Sequence, residues 1–285
     1  MASQPPAGSP SSLLDVGLYL TMNGYNWYWV AFGCMITSLL ATVGLDLMRP
    51  RGLRLFHQIA IVVLTTASLA YFSMALDLST SGPEAQIGGG AAVGPLSYVW
   101  YIMWTINLPL LLLSVLLVTG LSLAEILSTL FAAVVLVLSG LVADAVPAHA
   151  RAFSLLSGAA LAYVIFSLLC KGARSAYAAG DAFGTRYLLS AALLALLLLG
   201  YPAAYALAHG VGARALEPAA AAGVYGVLDV LAQPVFLFFF LYQLSQIDPG
   251  SVCGAIALGE DEEAQLARAS PRRLRRCRAV VVLTY

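Results

Sequence analysis

Seven separate stretches of this chain are apolar for long enough to cross a bilayer, and that pattern leaves few folds open. A helix needs about 20 residues to span a hydrocarbon core roughly 30 Å thick. The stretches fall near 25–47, 55–78, 97–119, 124–145, 151–171, 185–209 and 219–246, with only the turn Val146-Pro147-Ala148-His149-Ala150 between the fourth and fifth. Charged residues make up 10% of the chain, against roughly 25% in soluble domains. In lipid each backbone N–H and C=O must find a partner within the protein, so seven apolar runs predict an all-α bundle of seven transmembrane helices.

Charge sets the expected orientation, because Lys and Arg of short loops favour the cytoplasmic side. Arg49, Arg51 and Arg54 follow the first run; Lys171, Arg174 and Arg186 lie around the fifth-to-sixth connection; six arginines occupy the tail. Only Arg151 and Arg214 fall on the other side. This predicts an N-terminus outside and a C-terminus in the cytoplasm. The first residues lack a basic start followed by an apolar core, so no cleaved signal peptide is expected. Residues 1–24 read as a flexible outer tail, 25–246 as the bundle and 247–285 as a disordered cytoplasmic tail, with Glu260–Glu263 acidic and Arg272–Arg278 basic. The glycine run 88–90 lies in a long outer loop, 79–96, where a small β-hairpin or a plain loop both fit. Near the end, Cys277 beside the basic cluster offers a site for acylation and lipid contact.

Chemistry-bearing residues inside the runs are few. Asp229 and Gln233 are four apart and share a helical face, as do Met103 and Asn107. An acid alone in an apolar bundle is expected to be neutral and hydrogen-bonded to Gln233, to a tyrosine or to Asn107. A latch between the third and seventh helices and a small-molecule pocket are both open readings of this group. His57, His149 and His209 fall at run ends and read as interfacial or loop residues, and no metal site is expected. Asp46, Asp77, Glu125 and Asp144 also sit at run ends, solvated by water or headgroups, with Ser122 and Glu125 spaced as a capping box. No nucleophile, base and orienting group stand at a spacing that supports an enzyme.

The run Leu228-Asp229-Val230-Leu231-Ala232-Gln233 resembles the LDxxAK pattern in the last helix of microbial rhodopsins, most closely the fungal opsin-related proteins. The likeness continues in Asn26-Trp27-Tyr28-Trp29, in the stretch from Tyr98 to Ser114, in Ser139-Gly140-Leu141 and in Tyr201-Pro202. It implies a microbial-rhodopsin-like bundle in which Gln233 stands at the position of retinal's Schiff-base lysine. The one lysine of the chain is Lys171, at the end of the fifth run. By the same resemblance Trp100 replaces an arginine, Met103 the proton-accepting carboxylate, Asn107 and Leu108 two threonines, and Ser114 the internal proton donor. Leu198 and Tyr205 stand where photoactive relatives have tryptophans, and Asp229 keeps the place of the second counterion.

An amide cannot condense with an aldehyde, so covalent retinal, and with it pumping, is not expected. The resemblance implies a non-photochemical protein of the heat-shock opsin-like branch, with a stress-related or chaperone-like role at the plasma membrane. Its partners would be the lipid bilayer and another membrane protein such as a proton ATPase, with no nucleic acid; a homo-oligomer is plausible by analogy. The alternatives are a receptor holding retinal or another apolar ligand noncovalently, or an ion channel. The residual pocket would be lined by Tyr71, Trp100, Met103, Trp104, Asn107, Ser139, Tyr201, Tyr205, Asp229 and Gln233.

Overall fold

The computed structural model describes residues 24–48, 54–76, 95–208 and 218–246. The outer tail, the proposed hairpin within 79–96, Asp77, His209, Arg214 and the C-terminal tail lie outside them. Among the described residues seven helices are long and apolar enough to cross a membrane. They are α1 Gly24–Met48, α2 Arg54–Ala75, α3 Pro95–Leu116 with the 3-10 turn Leu117–Thr119, and α4 Leu123–Ala145. Next come α5, α6 Asp181–Ala208 and α7. The fifth runs from Ala150 to Phe166, loosens into the π turn Ser167–Gly172 and resumes over Ala173–Ala179; the seventh runs Pro218–Val230, the π turn Leu231–Val235 and Phe236–Ser245.

Consecutive helices pack side by side around one core. Its centre is formed by Ala31 and Met35 of α1, Val63 and Leu64 of α2, Leu111 and Leu112 of α3, Leu194 of α6 and Phe236 of α7. Equally apolar side chains such as Phe131, Leu155 and Leu196 are exposed, which is expected of a bundle whose solvent is hydrocarbon.

The expected end of the fifth span at 171 and start of the sixth at 185 are corrected: the span extends to Ala179 and α6 begins at Asp181. Lys171, Arg174 and Arg186 are helical residues, and the connection narrows to Gly180. That residue has φ +144° and ψ 146°, a conformation open to glycine almost alone. Charge had marked a loop here; the helices continue because their backbone bonds are complete whatever the side chains carry.

Two of the polar expectations also change. His57, read as interfacial, is buried in the first turns of α2 with 4% of its surface exposed. Asp144, read as solvated, is half-buried and accepts a hydrogen bond from Tyr101 of α3 at 2.5 Å. At the start of α4, the Ser122 hydroxyl accepts from the Glu125 N–H at 3.3 Å, closing half of a capping box. The Glu125 carboxylate accepts from the Ser122 hydroxyl through Oε2 at 3.5 Å, and its Oε1 lies 3.5 Å from Lys171 Nζ.

Candidate functional site: a buried acid and an amide pair

Helix α7 positions the site. Pro234 has no N–H to give to an i−4 carbonyl, and the π turn Leu231–Val235 absorbs the defect by widening the helix at that point. Gln233, inside the widened turn, and Asp229, one turn earlier, both have 0% of their surface exposed. Facing them on α3 is the series Trp100, Met103, Trp104, Asn107, Leu108 and Leu111, spaced by three and four residues, so that one stripe of the helix meets α7.

Four side chains donate to Asp229. Tyr71 Oη of α2 and Trp100 Nε1 of α3 reach Oδ2 at 2.5 and 2.8 Å. Tyr201 Oη of α6 and Trp104 Nε1 reach Oδ1 at 2.7 and 3.1 Å. Each oxygen is thus met by one tyrosine hydroxyl and one indole N–H, and an indole can only donate. Of the partners expected for the acid, Gln233, a tyrosine or Asn107, the tyrosines are the ones in place. Trp100 and Trp104 are donors that sequence reasoning missed. Their spacing of four, which puts both indoles on the face opposite Asp229, was the available signal.

Gln233 and Asn107 pair with each other. Asn107 Nδ2 donates to Gln233 Oε1 at 2.9 Å and to the Val63 carbonyl of α2 at 3.2 Å. Gln233 Nε2 has the Met103 thioether at 3.9 Å, a weak acceptor, and Asn107 Oδ1 has no partner. This ties α2, α3 and α7 through two uncharged, fully buried amides.

The other expected pocket residues do not all join. Ser139 of α4 donates back to Val135 and Leu136 of its own helix, at 2.6 and 3.1 Å. Tyr205 of α6 is 37% exposed and interacts with Asp144 rather than with Asp229. Met103, Trp104, Leu108 and Leu198 are buried, and Ser114 donates to Leu111 of its own helix at 2.7 Å. A ring of aromatics surrounds the acid: Trp104 and Tyr201 meet edge to face with centroids 5.0 Å apart, and Trp100 lies 5.1 Å from Tyr101 and 5.6 Å from Tyr225.

Seven apolar helices closed around a buried acid with tyrosine and tryptophan donors define an opsin-like integral membrane protein. Residues 24–247 match the family described as bacteriorhodopsin-like protein, and the chain belongs to it. Among curated relatives, Protein FDD123 of Trametes versicolor is 45% identical over 231 residues, covering 81% of each chain. Opsin-like protein carO of Fusarium fujikuroi is 31% identical over 236 residues, covering 81% of this chain and 76% of that one. Solved structures share the fold, two light-driven proton pumps among them. The light-driven proton pump rhodopsin CsR of Coccomyxa subellipsoidea has TM-score 0.67 and 30% identity, covering 77% of this chain and 96% of its own. The light-driven proton pump LR (Mac) of Leptosphaeria maculans has TM-score 0.67 and 28% identity, covering 79% and 95%.

Proposed function

We propose that this chain is a non-photochemical opsin-like membrane protein that neither holds retinal covalently nor pumps protons. The observation that carries this reading is the buried amide pair at the π turn in the middle of α7. A Schiff base needs an amine, and the polar group presented here is the carboxamide of Gln233, already engaged by Asn107 at 2.9 Å. The single lysine, Lys171, lies in the π turn of α5, 3.5 Å from Glu125 and 5.3 Å from the ring centre of Tyr163. The residues around Gln233 therefore do not fit retinal as a covalent cofactor. Nor is there space left beside the amides: Asn107 and Gln233 have no surface that a water molecule could touch, and Met103, Leu108 and Leu198 next to none. A pump would need titratable groups that exchange protons in sequence, whereas the groups bridging α3 to α7 below Asp229 are amides and a thioether.

The role that remains is one of protein contact. We assign it a stress-linked, chaperone-like function at the plasma membrane, with another membrane protein such as a proton ATPase as partner and the basic cytoplasmic face as contact surface. The similarity to fungal opsin-like proteins and the closed interior support that reading.

The test is addition of all-trans retinal to the purified wild type and to Gln233→Lys, followed by visible absorption and thermal unfolding. The wild type is expected to form no shifted band and to gain no stability. A pigment or a stabilised wild type would overturn the proposal. In the source organism, loss of the chain is expected to lower survival of heat shock; unchanged survival would remove the stress role.

A further inference from the structure

The rings around the two acids share a property that packing does not require. Each keeps its ionisable proton on a carboxylate: Tyr71, Tyr201, Trp100 and Trp104 on Asp229, and Tyr101 on Asp144. At 2.5 Å the Tyr101–Asp144 bond has the length of a charge-assisted O–H···O⁻ bond. Removing an electron from a phenol turns it into a strong acid, and from an indole into a much stronger acid than the neutral ring, so the electron leaves more easily when the proton has a base to go to. A carboxylate is such a base and an amide carbonyl is not. Tyr187, whose hydroxyl donates to the Leu168 carbonyl at 2.9 Å, supplies the contrast within the same molecule.

The rings are also contiguous. Centroids are separated by 5.1 Å from Tyr101 to Trp100, 6.2 Å from Trp100 to Trp104 and 5.0 Å from Trp104 to Tyr201. Tyr225 stacks on Tyr201 at 6.4 Å and meets Trp100 at 5.6 Å. Tyr101 and Asp144 are both half-buried, Tyr101 in the second turn of α3 and Asp144 in the last turn of α4, so they form the end of the relay nearest the helix termini.

We propose that this cluster is a one-electron donor site within the membrane, and that the oxidants it serves are lipid peroxyl radicals. An electron passes from Tyr101 to the peroxyl radical as the Tyr101 proton moves to Asp144 Oδ2. The reduced peroxyl takes a proton from the interfacial water and becomes a hydroperoxide, and Asp144 returns its proton to the same water. In sum, a peroxyl radical and a phenol become a hydroperoxide and a phenoxyl radical. Trp100, Trp104 and Tyr201 spread the oxidised state inward, with Asp229 as their base.

The experiment uses the full chain in nanodiscs of polyunsaturated phosphatidylcholine, with a lipid-soluble azo initiator as the source of peroxyl radicals. Freeze-trapped samples are read by electron paramagnetic resonance, with hydroperoxide formation followed alongside. The wild type is expected to give a tyrosyl signal, and to give it more slowly in D2O. Tyr101→Phe and Asp144→Asn should each slow its appearance about tenfold, the scale of one lost charge-assisted hydrogen bond. Tyr187→Phe should leave the rate unchanged. Asp144→Glu, which keeps the base, should retain the signal that Asp144→Asn loses, so a fold defect at Tyr101 would not hide the answer. Equal rates in the Asn and Glu variants, or a loss with Tyr187→Phe matching that with Tyr101→Phe, would overturn the proposal.

Discussion

Asp229 has four donors and Gln233 one strong partner, and that difference ranks what each substitution costs. An asparagine at 229 offers one acceptor oxygen and turns an NH2 toward two of the existing donors. Leaving such buried groups unpaired costs about 1–3 kcal/mol. Gln233→Leu removes a single acceptor from Asn107, whose N–H still reaches the Val63 carbonyl. Asp229→Asn is therefore expected to lower the unfolding temperature more than Gln233→Leu in the same detergent; the reverse order would show that the donors find other partners. For the amides, the cycle of Asn107→Leu, Gln233→Leu and the double variant should give a coupling of about 0.6 kcal/mol, and at most about 1.7, as for other hydrogen bonds between membrane helices. At this scale the sequence announced the acid and the amide but did not choose among their partners, because Gln233, a tyrosine and Asn107 were equally open to Asp229 until helix rotation separated them. The indoles of Trp100 and Trp104 decided the outcome by filling both oxygens of the acid.

At the scale of the helix, both π turns serve a contact that a regular α-helix would not make. In α7 the turn accommodates Pro234 beside Gln233. In α5 the turn Ser167–Gly172 presents the Leu168 carbonyl to Tyr187 of α6, and Gly172 permits the approach. A β-carbon at 172 would stand 1.9 Å from Tyr187 Oη and 2.7 Å from Cζ. Gly172→Ala is thus expected to cost about 1–3 kcal/mol, the range for overpacking a core, read as a fall in unfolding temperature. Adding Tyr187→Phe removes the nearest atom and should recover part of that loss; no recovery would mean that the clash is not what destabilises the variant. Neither π turn was legible in the sequence, since apolar residues all round a helix leave its local winding undetermined. The extension of α5 to Ala179 escaped for a related reason: Lys171 and Arg174 looked like loop residues, yet a helix that outruns the hydrocarbon carries charge without difficulty.

For the molecule as a whole, the bias of basic residues predicts that the end of α7 faces the cytoplasm. A fluorescent protein that matures only in the cytosol, fused after residue 285, should be bright; a dark fusion that is fully translated would reverse the orientation. Such an orientation also places Asp144, Tyr205 and the relay of rings in the half of the bundle away from the basic loops. Seven spans, their order and the family were written in the chain because a bilayer imposes one length on every crossing and because Asp229, Tyr201-Pro202 and the stretch from Tyr98 to Ser114 carry a readable likeness. Which polar residues meet was not written there. Apolar residues cover every side of these helices, so hydrophobic periodicity cannot say which side faces the core and which the lipid. Only packing of seven helices together fixed the rotation that gives Asp229 two tyrosines and two indoles, sets Asn107 against Gln233 and leaves Tyr205 at the edge with Asp144.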